Sequence, residues 1–417
     1  MLFNIIGCGP TGMTIAWNLV NRGHQVNIYE RKEGPGGSWW EPDKGPRDYH
    51  AYRAVFKRSF VNTHRLFKQM GLNWDDYFGK DPSKAINFLK YFDPMDYPKV
   101  ILLALRVFMN PQYYRKIDLK SCVKNFSEKS KKLFGGLPYT IDGVPWDRMT
   151  AYEFFQSINM VAFSIPEQTQ IVSGAVLFNR MKDILEERGV VFNFGMELLN
   201  ISYSPDNYRA MFTDGTELSG GTLVLAVDNG PARWLIGDNW GPDAQSKLES
   251  GMYTCMNILF YYDKNMSPLP KSDMDYLVES DLNILAKADG NTVSCVLCDV
   301  DKIHNIPPGR LVNMVLEQTG LPKPLDHKIC WGSEWNGKYW THSQTSGAYP
   351  MEGILPFYGQ CSSVALVGMM SPRQTPYASI ESAIEVGNTF TGVEPLYPLT
   401  LTRVVLILLL ILFLATR

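Results

Sequence analysis

The chain has 417 residues, 45% hydrophobic and 20% charged, longer than the roughly 100–200 residues of one core, which predicts two lobes and excludes wholesale disorder. Its 40 basic residues against 42 acidic ones give a net charge of −2, leaving no basic excess to neutralise phosphates, so nucleic acid is excluded as a partner. Seven scattered cysteines do not form a secreted disulfide framework.

In chain order, Leu2–Ile6 reads as a short apolar strand, with no secretory leader expected before it. A glycine-rich turn follows, then a helix over 13–22 and a strand over 26–29: a β-turn-α-β opening. Residues 34–46 form a loop of Gly, Pro and Trp, and 52–70 a helix stopped by Gly71. From 73 to 163 the pattern is helical, aromatic and irregular; the apolar stretch 100–109 predicts a buried helix, too short to span a bilayer. Alternation returns after Gly174 with a helix over 175–188, strands over 190–204 and 208–212, a turn at Asp214-Gly215 and a buried strand over 222–227. A strand-rich segment runs from 252 to about 340 and contains a helix at Pro308–Thr319. One more strand is expected at 365–368 and a helix at 377–390. Residues 404–415 are unbroken apolar sequence between Arg403 and Arg417. They predict a helical membrane anchor over 396–417 that holds both lobes on the cytosolic side.

Gly7-Cys8-Gly9-Pro10-Thr11-Gly12 fits G-x-G-x-x-G between a strand and a helix, the context a dinucleotide-binding turn requires. Gly7 allows the tight turn, Gly9 lets a pyrophosphate approach the helix N-terminus, and Gly12 lets helix and strand pack closely. Glu30, at the end of the second strand, is placed to accept hydrogen bonds from a ribose. Arg31 follows it, and beyond come Gly36, Gly37, Ser38 and Trp39. An acid followed by a glycine pair at that spacing points to FAD rather than NAD.

With these motifs the chain resembles the flavin-containing amine oxidase superfamily, which includes monoamine oxidases and protoporphyrinogen oxidases. The resemblance continues through 174–190, Leu198, Asp214-Gly215 and 223–227, and through Gly368 and 377–387, where Tyr377 and Ile380 lie in the closing flavin segment. It implies an α/β fold of two lobes: a discontinuous Rossmann-like FAD domain (1–72, 170–250 and 345–395) and a mixed α+β substrate domain (73–169 and 251–344). It implies an FAD-dependent oxidoreductase in which a small-molecule substrate passes a hydride to flavin N5. The alternatives are a mutase-like flavin isomerase and an inactive scaffold of the same fold at a membrane. A backbone contact from Leu198 to adenine, and a helix N-terminus near Ile380 aimed at the flavin carbonyl, are also implied.

The sequence departs from the family at several points. The cysteine that tethers flavin in monoamine oxidases is Ala348 in Ser346-Gly347-Ala348-Tyr349, so FAD is expected to bind non-covalently. Tyr349 keeps one tyrosine of the amine cage, while the second falls at Ser379. The lysine near flavin N5 is matched by Asn257. Asn257 and Tyr349 are the candidate catalytic residues, and oxidation of simple amines is expected to be slow. Arg373 is a candidate partner for an acidic substrate or a phosphate. Cys295-Val296-Leu297-Cys298 is a lone pair on opposite faces of a strand, and no metal set is expected.

Overall fold

The computed structural model describes residues 1–39, 54–80, 92–164, 168–267, 269, 281–330, 332–342 and 346–406. A five-stranded parallel sheet runs in the order Val364–Leu366, Thr222–Leu225, Leu2–Ile6, Gln25–Glu30, Val191–Phe194. Val364–Leu366 and residues 223–225 are apolar runs, whereas Gln25–Glu30 alternates buried Val26, Ile28 and Glu30 with less buried residues; one face packs on helices and the other on the strand Asn207–Phe212 and the helix Asn229–Leu235. The helices Pro10–Val20 and Ile380–Phe390 pack together. Gly387 allows the approach, since a Cβ there would sit 3.0 Å from Thr14 Cβ. Gly174–Glu187 packs Leu177, Phe178 and Met181 into the same core.

A second sheet is four-stranded and antiparallel, in the order Ile284–Asp289, Thr292–Leu297, Met256–Tyr261, Asp326–Cys330. One face, with Ile258, Phe260, Val293 and Cys295, packs on Leu311, Val312 and Val315 of the helix Pro308–Thr319. A separate helical core joins Tyr97–Met109, Glu128–Asp142 and Ala151–Val161 around Phe134 and Phe154.

Several expectations change. The strand expected over 190–204 is two strands, Val191–Phe194 and Leu198–Ser204, separated at Gly195 with its φ of +70°. The helix expected over 52–70 is shorter, Val61–Met70; residues 40–53 lie outside the described residues. The helix over 100–109 is not buried. Leu103 and Val107 of Tyr97–Met109 are buried, Val100, Ala104 and Phe108 pack against the core partly exposed, and Ile101, Leu102, Leu105 and Met109 are exposed.

The C-terminal membrane anchor is also overturned. Among the described residues no helix is long and apolar enough to cross a membrane. The reason is length, since the twelve residues 404–415 span about 18 Å as a helix against a hydrocarbon core of about 30 Å. The flank is held on the protein instead: Thr402 N donates to Asn159 Oδ1 at 3.0 Å and Asn159 Nδ2 donates to Thr402 Oγ1 at 3.1 Å. Residues 401–406 are helical, and 407–417 lie outside the described residues. The membrane partner and the cytosol-facing orientation read from that tail fall with it.

Candidate functional site

The glycine-rich turn and the glycine pair form one junction at the C-terminal edge of the parallel sheet. Gly7 N donates to Tyr29 O at 2.8 Å, which ties the turn to the second strand. Gly7 has φ +105°, and a Cβ there would collide with the carbonyl oxygen of Ala226. A Cβ on Gly12 would strike the carbonyl oxygen of Gly7. Gly36 N donates to Cys8 O at 2.8 Å, and Gly37, at φ +59°, packs against Gly9. The helix Pro10–Val20 starts beneath this junction with Gly9 as its N-cap, Pro10 in the first turn and no side-chain cap. Uncapped N–H groups and the positive end of the helix dipole suit an anion there.

Glu30 braces the junction from below. Its carboxylate accepts from Cys8 N at 2.8 Å and from Lys32 N at 3.0 Å. Lys32 was missed by the sequence reading, which chose Arg31. The Lys32 ammonium donates to Gly37 O at 3.0 Å, whereas Arg31 is exposed and faces Glu197 at 3.8 Å. Lys32 lies in the bend just after the strand Gln25–Glu30, where no strand periodicity signals its direction. Thr11 is half-buried and its hydroxyl donates to Ala383 O at 3.1 Å, so it clamps two helices. Ser38 is exposed, and Trp39 is buried with its carbonyl against Gly174. Leu198 is brought to this edge by the Met196 N–H, which donates to Glu30 O at 2.9 Å. Asp228, also missed, caps the helix Asn229–Leu235 just beyond the third element of the edge, and burial pushes its carboxyl up to about 6.

Toward the C-terminal segment, Arg373 brings together Tyr349 and Met369, the neighbour of Gly368, while Tyr377 and Ile380 belong to the core with Phe60. Gly368 N donates to Ser371 Oγ at 3.2 Å. The buried Arg373 guanidinium donates to Tyr349 O at 2.7 Å and to Met369 O at 2.8 Å. Its two terminal nitrogens are engaged by main-chain carbonyls, its buried Nε has no hydrogen-bond partner among the described residues, and the buried carboxyls of Asp142, Glu153 and Glu385 act on its charge. The Tyr349 ring lies between Gly251 and Gly347, where a Cβ on either would strike it, and its hydroxyl donates to Leu248 O at 2.6 Å. Tyr377 stacks on Phe60, and its buried hydroxyl has no hydrogen-bond partner among the described residues. Ile380 begins the helix Ile380–Phe390, whose N-terminus is capped by Ser379 in a capping box with Ser382. Glu381 turns away and accepts from Asn62 N, Asn62 Nδ2, Thr63 N and Thr63 Oγ1 at 2.7–2.9 Å, capping the helix Val61–Met70 from outside. Burial pushes its carboxyl up to about 7.

Asn257 lies on the face of the four-stranded sheet opposite the helix Pro308–Thr319, and its Oδ1 accepts from Ser294 Oγ at 2.9 Å. It is connected to the Gly368 end by a chain of contacts. The strand Met252–Tyr253 just before it pairs with Ser346–Gly347, and Tyr349 two residues on is held by Arg373, which also holds Met369. Cys295 faces the core with that helix, and burial pushes both Cys295 and Cys298 thiols well up.

Residues 5–59 match the profile of the NAD(P)-binding Rossmann-like domain. No curated protein sequence matches the chain. Among solved structures, a double mutant of putrescine oxidase redesigned in its cofactor binding is similar at a TM-score of 0.68 and 12% identity, over 94% of this chain and 98% of that one. Cyclohexylamine oxidase from Brevibacterium oxydans is similar at 0.64 and 12%, over 94% and 97%. An oxidoreductase from Methanosarcina mazei is similar at 0.63 and 12%, over 94% and 100%. Over 94% of its length the chain therefore shares the fold of putrescine oxidase and cyclohexylamine oxidase, with the NAD(P)-binding Rossmann-like profile matched over residues 5–59.

Proposed function

We propose that the protein is an FAD-dependent oxidoreductase that binds FAD non-covalently and takes two electrons from a carbon of a small organic substrate. The observation that carries the reading is the Gly9–Gly37 junction above an uncapped helix N-terminus, braced by Glu30 and flanked by Lys32. A Cβ on Gly37 would meet Gly9 Cα at 3.1 Å, so the two turns pack main chain to main chain beside the uncapped N–H groups of the helix, and this arrangement fits the pyrophosphate of a dinucleotide. An acid and a second glycine turn at this point support FAD. The three blocks 1–72, 170–250 and 345–395 are assigned to its binding domain, 73–169 and 251–344 to the substrate domain.

In this reading Gly7, Gly9, Gly12, Gly36 and Gly37 admit the pyrophosphate, with Pro10 and Thr11 starting the helix that faces it. Glu30 retains acceptor capacity for the ribose, since a carboxylate has about four lone-pair sites and two serve backbone N–H groups. Lys32 lends positive charge, and Leu198 lies on the adenine side. When bound, FAD supplies the two-electron acceptor, and the protein supplies orientation and electrostatics. Gly368 allows close approach at the flavin end, and Ile380 sets the start of the helix there. The Asn257 amide, neutral at every pH, orients substrate or a water by hydrogen bonding and cannot serve as a base. Tyr349 contributes a fixed ring, because its hydroxyl is engaged by the Leu248 carbonyl. Ala348 offers no thiol, which supports non-covalent binding.

The test is the visible spectrum of the purified full-length protein. Oxidised-flavin bands near stoichiometric content are expected; a colourless protein that also fails to take up added FAD overturns the reading.

A further inference from the structure

We propose that Cys255 and Cys298 form a redox-sensitive dithiol, which hydrogen peroxide closes to a disulfide at one end of the four-stranded sheet. Spacing along the chain puts Cys298 nearest to Cys295, but the fold parts those two and brings Cys255 to Cys298 instead. The ladder between Met256–Tyr261 and Thr292–Leu297 ends on the rung that sets Met256 opposite Leu297. One step further in the same register sets Cys255 opposite Cys298. Met256, Leu297 and Cys295 belong to the core with the helix Pro308–Thr319, and Cys255 and Cys298 do not. Successive residues of a strand alternate sides, so these two turn away from that core together.

The main chain fixes how close they come. Cys298 N donates to Asn283 O at 3.3 Å, on the side of the strand Ile284–Asp289. An antiparallel residue directs its N–H and C=O to the same neighbour, so the rung toward Cys255 is a non-hydrogen-bonded one. On such rungs the Cα atoms lie about 4.5 Å apart, within the span of about 4.4–6.8 Å that a disulfide bridges. Both residues are thiols in this structure, each 6% exposed, whereas Cys295 is 0% exposed. Cys330 lies opposite Asn257, two residues along, and its Sγ donates to Lys328 O at 3.8 Å. Burial pushes the Cys255 thiol up to about 12 and the Cys298 thiol well up, and Cys255 adds to the rise at Cys298, as a close neighbour does.

The thiolate is the reactive form, so the pair is slow at neutral pH and faster in mild alkali. One sulfur attacks a peroxide oxygen, the O–O bond breaks, and a sulfenic acid and a water form. The second sulfur then attacks the first, the S–O bond breaks, and a second water leaves as the S–S bond forms. Two thiols and one hydrogen peroxide thus give one disulfide and two waters, the sulfurs losing the two electrons that the peroxide gains. Tyr253, two residues before Cys255, pairs with Ser346, and Asp299, next to Cys298, accepts from the Tyr139 hydroxyl at 3.3 Å. The disulfide therefore staples the sheet where it meets the helix Glu128–Asp142 and the segment leading to Tyr349.

The experiment treats the folded full-length protein with hydrogen peroxide in mild alkali, removes the peroxide, and alkylates in denaturant. Intact mass then counts the remaining thiols, and peptide mapping locates any link. Wild type is expected to lose two of its seven thiols, to regain both with a reductant, and to yield a peptide joining Cys255 to Cys298. Cys295→Ala is expected to behave in the same way, which assigns the link to Cys298 rather than to its neighbour in the same peptide. Wild type that keeps all its thiols, a loss that reductant does not reverse, or a link between any other pair overturns the proposal. The wild-type map decides the matter even where a variant fails to fold.

Discussion

A Cβ built on Gly37 would lie 3.1 Å from Gly9 Cα, so two turns separated by 28 residues touch main chain to main chain. The two glycines differ in what they tolerate. Gly37 is left-handed at φ +59°, whereas Gly9 has φ −81° and a Cβ there would meet Gly37 at an ordinary 3.8 Å.

Gly9→Val is therefore expected to keep the fold and lose the flavin, since its side chain enters the pyrophosphate space. Gly12→Ala is expected to destabilise by about 1–3 kcal/mol through its clash with the Gly7 carbonyl. Thermal unfolding read with flavin content checks this: near-normal Tm with no colour for Gly9→Val, lowered Tm for Gly12→Ala.

Acid precipitation is expected to release all of the flavin into the supernatant, because Ala348 has no sulfur to hold it. Fluorescence of supernatant and pellet decides the matter, and flavin retained by the denatured polypeptide contradicts it.

Arg373→Met is expected to cost about 3–5 kcal/mol, because it leaves Asp142, Glu153 and Glu385 buried without their cation and the Tyr349 and Met369 carbonyls without a donor. Urea unfolding of the variant measures it; a loss under about 1 kcal/mol would show that the carboxyls are neutral in the folded protein.

Glu381 makes stability depend on pH. Burial raises its carboxyl from 4.5 to about 7, so the folded state holds the proton more tightly than the unfolded chain. Its contribution is fully present below about pH 4.5 and is lost as pH rises through about 7, by on the order of 3 kcal/mol. Asp142 and Asp228, also pushed up by burial, add in the same direction. Urea midpoints between pH 4.5 and 8 should fall with rising pH, and Glu381→Gln should flatten that slope by about one proton's worth.

Anaerobic reduction by benzylamine or phenethylamine is expected to be slow. Asn257 replaces the family's lysine and Ser379 is a helix cap rather than a cage ring. Rapid flavin bleaching in a stopped-flow trace would contradict this.

The glycine junction was legible in the sequence because backbone sterics leave few alternatives at G-x-G-x-x-G, and strand, helix and acid are all local. The helix Pro308–Thr319 was legible for the same reason: its apolar period and its Gly320 stop are local signals. The roles of Arg373, Lys32 and Glu381 were not. Arg373 and Glu381 are decided by partners brought from distant segments, such as Thr63 for Glu381, 318 residues away, and Lys32 by the local fold of the loop that brings Gly37 O to it. The helix Tyr97–Met109 was read as buried from its composition, yet composition does not say which face a neighbouring helix covers. The apolar tail misled in a similar way, because hydrophobicity alone does not supply the length needed to span.

The order of strands in the parallel sheet has a consequence for biosynthesis. Leu2–Ile6 is made more than 200 residues before its neighbour Thr222–Leu225, and more than 350 before Val364–Leu366. The glycine-rich turn therefore cannot close on Ala226 when it is made, and Leu2–Ile6 keeps an open edge until Thr222–Leu225 emerges. At about 5–20 residues per second this wait lasts on the order of 10–40 s. Sequence-distant pairing of this kind slows folding and leaves the growing chain dependent on protection until Val364–Leu366 emerges. Loading of the proposed cofactor would have to wait for segments made hundreds of residues after the glycine-rich turn.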